Sequence, residues 1–434
     1  MTNNLIWFGN NLRVRDNQVL KHAMNGQKLM AVYFFDPRHY EIGAFGFRKT
    51  GPFRAQFLLE TVEQLKRNLE NINISLLTFF CRPEDKIPEL VEKYHIDTIF
   101  IQAEWTFEEA QTITAVKNKV DKAISFIEIF DQFLYHPDDV PFSDFEHIPA
   151  IFTDFRKKCE RLAKVRPVSA RPASMPPGNR METNTSIPTL ADLGVPSFKK
   201  DRRSAFPFSG GEESALARLD HYFWETKKLS SYKKTRNGLI GTDYSSKLSA
   251  WLANGSISAR TIYWEVQHYE KEVEKNASTY WLVFELLWRD YFKYISLKHG
   301  NRIFKLGGIR EVAYEWGNDE KTKDSWINGR TSDDFVNAHM LELKHTGWMS
   351  NRGRQNVASY WAKHVQQDWR IGASYFESLL IDYDVHNNWG NWMYNSGVGN
   401  DPRDRTFNTE RQATLYDPDR SFRKLWLQPS LFEE

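Results

Sequence analysis

The chain has 434 residues, with 58 Lys plus Arg against 56 Asp plus Glu and a formal net charge of +2. That length exceeds the range over which one core keeps growing, so about two or three domains are expected; the balanced charge excludes a histone-like partner and an acidic tail, and confines any nucleic-acid site to a local patch. Two cysteines, Cys81 and Cys159, lie far apart without metal-ligand spacing, which excludes a disulfide scaffold or a Cys-rich zinc site and points to a reducing compartment, the cytoplasm.

The amino terminus, MTNNLIWFGNNLRVRDN, has no basic segment followed by an apolar run. No window reaches the roughly 20 apolar residues needed to span a bilayer, so no membrane association is expected. Up to residue 130, β-rich runs (Leu5 to Phe8, Leu29 to Phe35, Ile74 to Phe80, Thr98 to Ile101, Ile124 to Phe130) alternate with helical stretches around 53–70, 84–94 and 107–120. This pattern predicts an open parallel α/β sheet over 1–130. The first strand runs into FGNNLRVRDN rather than a GxGxxG turn, so no dinucleotide fingerprint is assigned. Residues 131–211 hold ten of the seventeen prolines and read as an extended interdomain linker. Within it, residues 156–203 carry twelve Lys or Arg and four Asp or Glu, a run that is either simply solvated or able to attract phosphates.

After residue 211 the signals are helical, and thirteen of the fifteen tryptophans fall there. Ser258 and Ser278 look like N-caps, and Gly255, Gly300 and Gly347 sit where helices would stop. A multi-helix domain over 212–434 with a polar-lined cavity is expected, giving an α/β plus all-α fold class. In WLVFELLWRDYF, residues 281 to 292, helical spacing places Trp281, Phe284, Glu285, Trp288, Phe292 and Ile295 on one face. A carboxylate in that stripe is costly to bury unless paired or kept for a chemical task, so Glu285 is a site candidate.

Two further clusters carry chemistry. In YKKTRNGLIGTDYSSKLSAWLANG, the hydroxyls of Ser245, Ser246 and Ser249 and the ammonium of Lys247 gather where a helix begins; this is either ordinary N-capping or a pyrophosphate site. In GWMSNRGRQNVASYWAKH, Asn351 and Arg354 lie three apart and Gln355 follows; Arg354 can meet Asp382 or Asp384 of LLIDYDVHNN as a structural bridge or a ligand clamp. Trp316, Trp369 and Trp392 read as core residues by pattern alone, whereas Trp389 and Trp392, in NNWGNWMY, could also stack on a base or planar cofactor.

Together YKKTRNGLIGTDYSSKLS, WLVFELLWRDYF, GWMSNRGRQN, DWRIG and DYDVHNNWGNW resemble the photolyase and cryptochrome family, and TRNGLIGTDYSSKLS with ISARTIYWEV resembles its cryptochrome-DASH branch. The likeness runs through essentially the whole chain. It implies an antenna-type α/β domain, a helical flavin domain and one FAD in a U-shaped conformation. Tyr232 and the segment Ser245, Ser246, Lys247, Leu248, Ser249 would meet the diphosphate, with Trp281, Glu285, Trp288 and Arg289 around the cavity. Asp382 and Asp384 would line the flavin ring, Arg354 would pair with Asp382, and Asn388 would sit near the flavin nitrogen whose protonation sets the reduced state.

The implied reaction is light-driven: excited reduced flavin lends an electron to a cyclobutane pyrimidine dimer, the ring splits, and the electron returns. Glu285 would hydrogen-bond the dimer, Asn351 would shape the substrate side, and Trp288, Gln355 and Tyr394 would line the lesion pocket. Gln355 stands where many duplex-repairing relatives have methionine and Tyr394 where tryptophan is common, which supports a single-stranded DNA substrate. Trp392, Trp369 and Trp316 match the family's photoreduction chain, from the flavin to the surface. Glu109, in AEWTFEEAQ, matches a position that contacts a folate antenna such as 5,10-methenyltetrahydrofolate; by pattern alone it is a solvated helix residue. A monomer without a metal is expected, and the lack of a long extension after Glu434 argues against a plant-type signalling tail. A blue-light receptor that binds flavin and DNA without repair, and a flavin protein active in the dark, are the competing functions.

Overall fold

The computed structural model describes residues 2–428. Five strands, β1 (Asn3–Phe8), β2 (Lys28–Phe34), β3 (Leu76–Phe79), β4 (Thr98–Gln102) and β5 (Ser125–Ile129), form one parallel sheet in the order β3-β2-β1-β4-β5. Residues such as Leu5, Ile6, Ala31, Val32 and Ile99 are fully buried, because crossover helices cover both faces of a parallel sheet. Helices Pro52–Glu70, Pro83–Tyr94 and Phe107–Lys119 occupy the expected stretches. A short helix, Gln18–Ala23, was not signalled by periodicity; at 6 residues it is too short to show one.

The segment FGNNLRVRDN has a structural task. Arg13 pairs with Asp131 at 2.6 Å, and Arg260 of helix Ala259–Glu272 reaches Asp16 at 2.9 Å and Asp131 at 2.7 Å. All four are buried, and two carboxylates face two guanidiniums, so charge and hydrogen-bonding capacity are both matched. Glu212 adds to the clasp by accepting the backbone N–H groups of Val14 and Arg15 at 3.0 and 2.8 Å. The α/β and helical halves are thereby locked in one register.

The proline-rich connector is less irregular than its composition suggests. It carries an 11-residue helix, Phe152–Leu162, whose Phe152, Phe155 and Cys159 join the same core as Tyr291 and Tyr294. An i, i+3, i+7 apolar face lies behind the basic residues that dominate the composition. Cys159 is buried and Cys81 half-buried, both with free thiols.

The helical half is built on one 23-residue helix, Ala277–His299. Its N-cap is Asn276, not Ser278: Asn276 Oδ1 accepts from Ser278 N and Thr279 N, and the Thr279 hydroxyl accepts from Asn276 N in a capping box. Asn projects its acceptor from the residue before the helix, so the serine two residues later falls inside the first turn. Ser258 does cap its helix, accepting from Thr261 N at 2.9 Å. Gly347 closes helix Asp334–Thr346 at φ +69°, in the left-handed region and against Phe53, where a β-carbon would be both strained and crowded. The carboxyl end of the 212–434 span, residues 429–434, lies outside the described residues, as does the expectation concerning a tail beyond it. No helix among the described residues is long and apolar enough to cross a membrane.

Candidate active site

A cavity of about 610 Å³ opens in the helical half, within the range of ~300–1,000 Å³ usual for small-molecule sites. Its wall brings together Tyr232, the segment 245–249, Trp281, Glu285, Trp288, Arg289, Asn351, Arg354, Gln355, Asp382, Asp384 and Tyr394. Stretches far apart in the sequence converge there, with the long helix as the common scaffold.

One end of the cavity is cationic. Lys247 adopts a left-handed backbone at φ +64°, a strained geometry for a residue with a β-carbon. Its Nζ is buried without a hydrogen-bond partner among the described residues, over the rings of Tyr244 at 3.3 Å and Trp348 at 4.7 Å. Burial holds the Lys247 pKa well below its ordinary value. An orphaned ammonium lining a cavity is a site prepared for an anion, and a diphosphate would restore its charge. The loop is held by Arg218, which donates to the carbonyls of Ser246 at 3.0 Å, Ser245 at 3.1 Å and Thr242 at 3.1 Å and pairs with Asp243 at 2.7 Å. Ser249 heads a short helix, Ser249–Ala253, and its hydroxyl donates to Asp382 Oδ2 at 2.7 Å.

Beneath Lys247 lies Glu342, 1% exposed, with Oε2 and both ring nitrogens of the neighbouring His339 without a hydrogen-bond partner among the described residues. Burial lowers the His339 pKa to about 3, so the imidazole is neutral and its 3.8 Å approach to Glu342 is no ion pair. Burial pushes Glu342 up to about 8, against the pull of Lys247 and Arg354. The folded state therefore holds this proton more tightly than the unfolded chain, whose carboxyl titrates near 4.5. The stabilisation is complete below that value and is lost as pH rises through about 8, at no more than ~1.4 kcal/mol per pH unit. Glu342→Gln should flatten this alkaline decline in flavin-free protein; parallel stability curves for the two proteins would refute the assignment.

The middle of the cavity carries two carboxylates. Arg354 Nη2 donates to both oxygens of Asp382, at 2.9 and 3.0 Å. Asp384 caps helix Val385–Ser396 and accepts from Asn387 N at 2.8 Å and Lys293 Nζ at 3.0 Å. Burial alone would disfavour its ionisation, but Lys293, His386 and Arg289 override that and hold it far below the usual carboxylate range. Asn388 is buried on the same helix, its Nδ2 donating to Ala373 O at 2.9 Å; it is Asn387, Asn391 and Asn395 that contribute to the cavity wall.

Toward the mouth, Glu285 meets Arg236 at 2.7 Å. Burial raises the Glu285 pKa, and Arg236 only partly offsets this. The carboxylate in the apolar stripe thus has a partner that lies 49 positions earlier, at the end of the YKKTR run. Trp288 is stacked on one side by Phe152, centroids 3.7 Å apart, and meets the edge of Tyr394 at 5.7 Å. Gln355 accepts from Arg352 at 3.0 Å, Tyr394 accepts from Arg405 at 3.0 Å, and Asn351 is exposed at the first turn of helix Asn351–Ser359. Arg236, Arg352 and Arg405, none of them singled out by spacing, give this mouth its positive charge.

Trp392 is buried on Val385–Ser396, packed edge-on against Phe376 at 5.0 Å. A β-carbon on Gly372 would stand 2.2 Å from its ring, so glycine is required there. Trp369 is buried, donating to Leu306 O at 2.9 Å, and Trp316 is half-buried. A second cavity, about 660 Å³, lies against the carboxyl ends of β1, β2 and β4 and the helical half, the crevice that open α/β sheets offer to ligands. Glu109 lines it and accepts the Thr106 hydroxyl, and Arg289 and Asp384 belong to the walls of both cavities.

Residues 4–176 match the DNA photolyase family model, and residues 281–431 match the FAD binding domain of DNA photolyase. A cryptochrome DASH of Gloeobacter violaceus is 48% identical over 98% of this chain and 85% of its own. The chain belongs to the photolyase and cryptochrome family, in its cryptochrome-DASH branch. A cryptochrome DASH of Xenopus laevis shares 46% identity with this DASH protein over 96% of this chain and 81% of its own. The crystal structure of a Synechocystis cryptochrome superposes with a TM-score of 0.94 at 41% identity, covering 98% of this chain and 88% of that one. A class III photolyase of Agrobacterium tumefaciens, 24% identical with a TM-score of 0.83, shares the fold, over 98% of this chain and 86% of its own. The helical half of this DASH chain is accordingly an FAD-binding domain of the photolyase type.

Proposed function

We propose that this protein is a light-driven, FAD-dependent deoxyribodipyrimidine photolyase acting on cyclobutane pyrimidine dimers, preferentially in single-stranded DNA. The observation that carries the reading is Glu285, a carboxyl group with a raised pKa held by Arg236 at the mouth of a cavity whose far end is cationic. FAD bound in the cavity in a U shape would supply the light-absorbing one-electron donor, regenerated in each cycle so that no net redox change occurs.

Lys247 and the 245–249 loop would hold the diphosphate, Tyr232, Trp281 and Arg289 would enclose the cofactor, and Asp382, fixed by Arg354 and Ser249, would accept a hydrogen bond from its ring. Asp384 is held ionised by Lys293, and Asn388 supports the same edge from the helix behind. Glu285 donates a hydrogen bond to a carbonyl of the dimer and stabilises the negative charge that appears there only during reaction. Trp288 offers a flat surface to the splayed bases, and Asn351 bounds the substrate side. Extracting a lesion from a duplex costs a few kcal/mol of unstacking. A mouth polarised by Gln355 with Arg352, and by Tyr394 with Arg405, recovers little of that through apolar contact, which favours a strand already unpaired.

Trp392, Trp369 and Trp316 would relay electrons from an external donor toward a bound flavin, which would supply the one-electron chemistry. Trp392→Phe should reduce blue-light photoreduction to background while chemically reduced protein keeps its repair; photoreduction at the unsubstituted rate would remove Trp392 from the route. Arg236, Arg352 and Arg405 meet DNA phosphates. Affinity for single-stranded DNA should fall with added salt, and the log–log slope should shrink by about 0.7 for each of these arginines changed to alanine. An unchanged slope would place the phosphates elsewhere.

We read residues 1–130 as the antenna-type domain, 131–211 as the connector and 212–434 as the catalytic domain, in a cytoplasmic monomer. A folate would occupy the interdomain cavity beside Glu109. A light receptor with little repair is the second reading, favoured by the name cryptochrome that the relatives bear. Blue light on reduced, flavin-loaded protein with a dimer-containing single-stranded oligonucleotide separates the two. Restored pyrimidines support the enzyme, whereas light-dependent partner binding without restoration supports the receptor.

A further inference from the structure

The tryptophan route ends at Trp316, and its surroundings extend the route by one residue. The Trp316 indole Nε1 is shut away from solvent with no hydrogen-bond partner among the described residues. A radical cation on this ring has no nearby acceptor for its proton, so it stays oxidising until an electron arrives. The next ring outward is Tyr314, 38% exposed, with centroids 5.7 Å apart and ring planes at 85°. The Tyr314 hydroxyl donates to Asp404 Oδ2 at 3.1 Å, and the other carboxylate oxygen is paired with Lys363 Nζ at 2.6 Å. Lys363 also lies 5.0 Å over the Tyr314 ring. Asp404 sits in the left-handed region at φ +43°, and a β-carbon on Gly397 would fall 2.1 Å from its Oδ1. A strained residue and an obligatory glycine therefore hold this carboxylate on the phenol.

We propose that Tyr314 is the terminal electron donor of this chain and that Asp404 accepts its phenolic proton. The Trp316 radical cation takes one electron from Tyr314 while the O–H proton passes to Asp404 Oδ2. Neutral Trp316, a neutral tyrosyl radical and a protonated Asp404 result. One positive and one negative charge disappear together, so no net charge is created in the half-buried site. Burial, then the bond to Asp404, raises the Tyr314 pKa, so the resting phenol keeps its proton until its electron leaves. The exposed ring lets an external thiol return one electron, with the proton recovered from Asp404. The oxidant upstream is light-excited oxidised flavin, reached through Trp392 and Trp369, so this inference rests on the proposed function.

Flash photolysis with electron paramagnetic resonance on flavin-loaded, oxidised protein without added donor tests it. In the unsubstituted protein the tryptophan radical should give way to a tyrosyl radical, more slowly in deuterated water. Tyr314→Phe, at an exposed position that does not endanger the fold, should abolish the tyrosyl signal and leave the tryptophan radical to decay by recombination alone. Asp404→Asn should lower the tyrosyl yield and prolong the tryptophan radical. A tyrosyl signal that persists in Tyr314→Phe, or tryptophan radicals with identical decay in all three proteins, would overturn the assignment while leaving the tryptophan route intact. Absence of any light-induced protein radical would overturn the route and this extension together.

Discussion

Glu285→Gln should cut light-driven repair by roughly tenfold to a hundredfold, at or just below the loss typical of one preorganised polar group, without releasing the flavin. Three observations set that expectation. Burial raises the Glu285 pKa above that of an ordinary carboxyl, against the pull of Arg236, and so favours the protonated form that can donate to a dimer carbonyl. Its hydrogen-bonded partner is Arg236, and neither belongs to the Asp382–Arg354–Ser249 cluster that would hold the cofactor. Glutamine keeps the shape and an N–H donor but fixes the group in one protonation state. Repair by the unsubstituted protein should therefore weaken as pH rises through the raised value of Glu285, and the variant should lack that limb. The variant keeps Arg236 and its positive charge at the mouth, so affinity for undamaged single-stranded DNA should hold. Equal repair rates in the two proteins would strip Glu285 of its role.

Asp382→Asn should release the cofactor. Asp382 receives two bonds from Arg354 and one from Ser249, and its side chain is 3% exposed against 24% for Arg354. Asparagine loses the charge and one of the two acceptor oxygens, and brings an N–H₂ group toward a guanidinium. Truncating one partner of a buried, hydrogen-bonded charge pair costs about 2 kcal/mol or more, equivalent to roughly thirtyfold weaker binding. Recovery of flavin fluorescence on dilution measures this directly. Arg354 keeps its bond to Met349 O at 2.9 Å and a solvent-facing portion, so the fold of the flavin-free protein should change much less than its affinity. Unaltered retention of FAD would show that this pair is structural.

How much of this was visible in the residues depended on range. The α/β sheet was legible because alternating short apolar runs and amphipathic stretches are local patterns, and the strands fall within two residues of their expected limits. Glu285 stood out because a carboxylate breaks a helical stripe within a single segment. Its partner Arg236 did not, since nothing near YKKTR identifies which carboxylate it will meet. Arg218, 24 to 28 positions from the loop it holds, and Lys293, 91 from Asp384, escaped for the same reason. Arg13 and Asp16 are legible only as part of a segment that lacks a glycine motif, and nothing local ties them to Asp131 and Arg260. The connector helix was masked by its own surface: proline and basic residues dominate the composition, while Phe152, Phe155 and Cys159 face inward. Asn276 outcompeted Ser278 as a cap because the choice depends on backbone geometry one turn back.

The decisive measurement is single-turnover photorepair. Purified protein, loaded with FAD and chemically reduced, is mixed with a single-stranded oligonucleotide carrying one thymine dimer and illuminated with blue light. The account predicts that the dimer returns to two thymines only in the light and more readily than in the matching duplex. A dimer left intact while reduced FAD is bound and illuminated would contradict it.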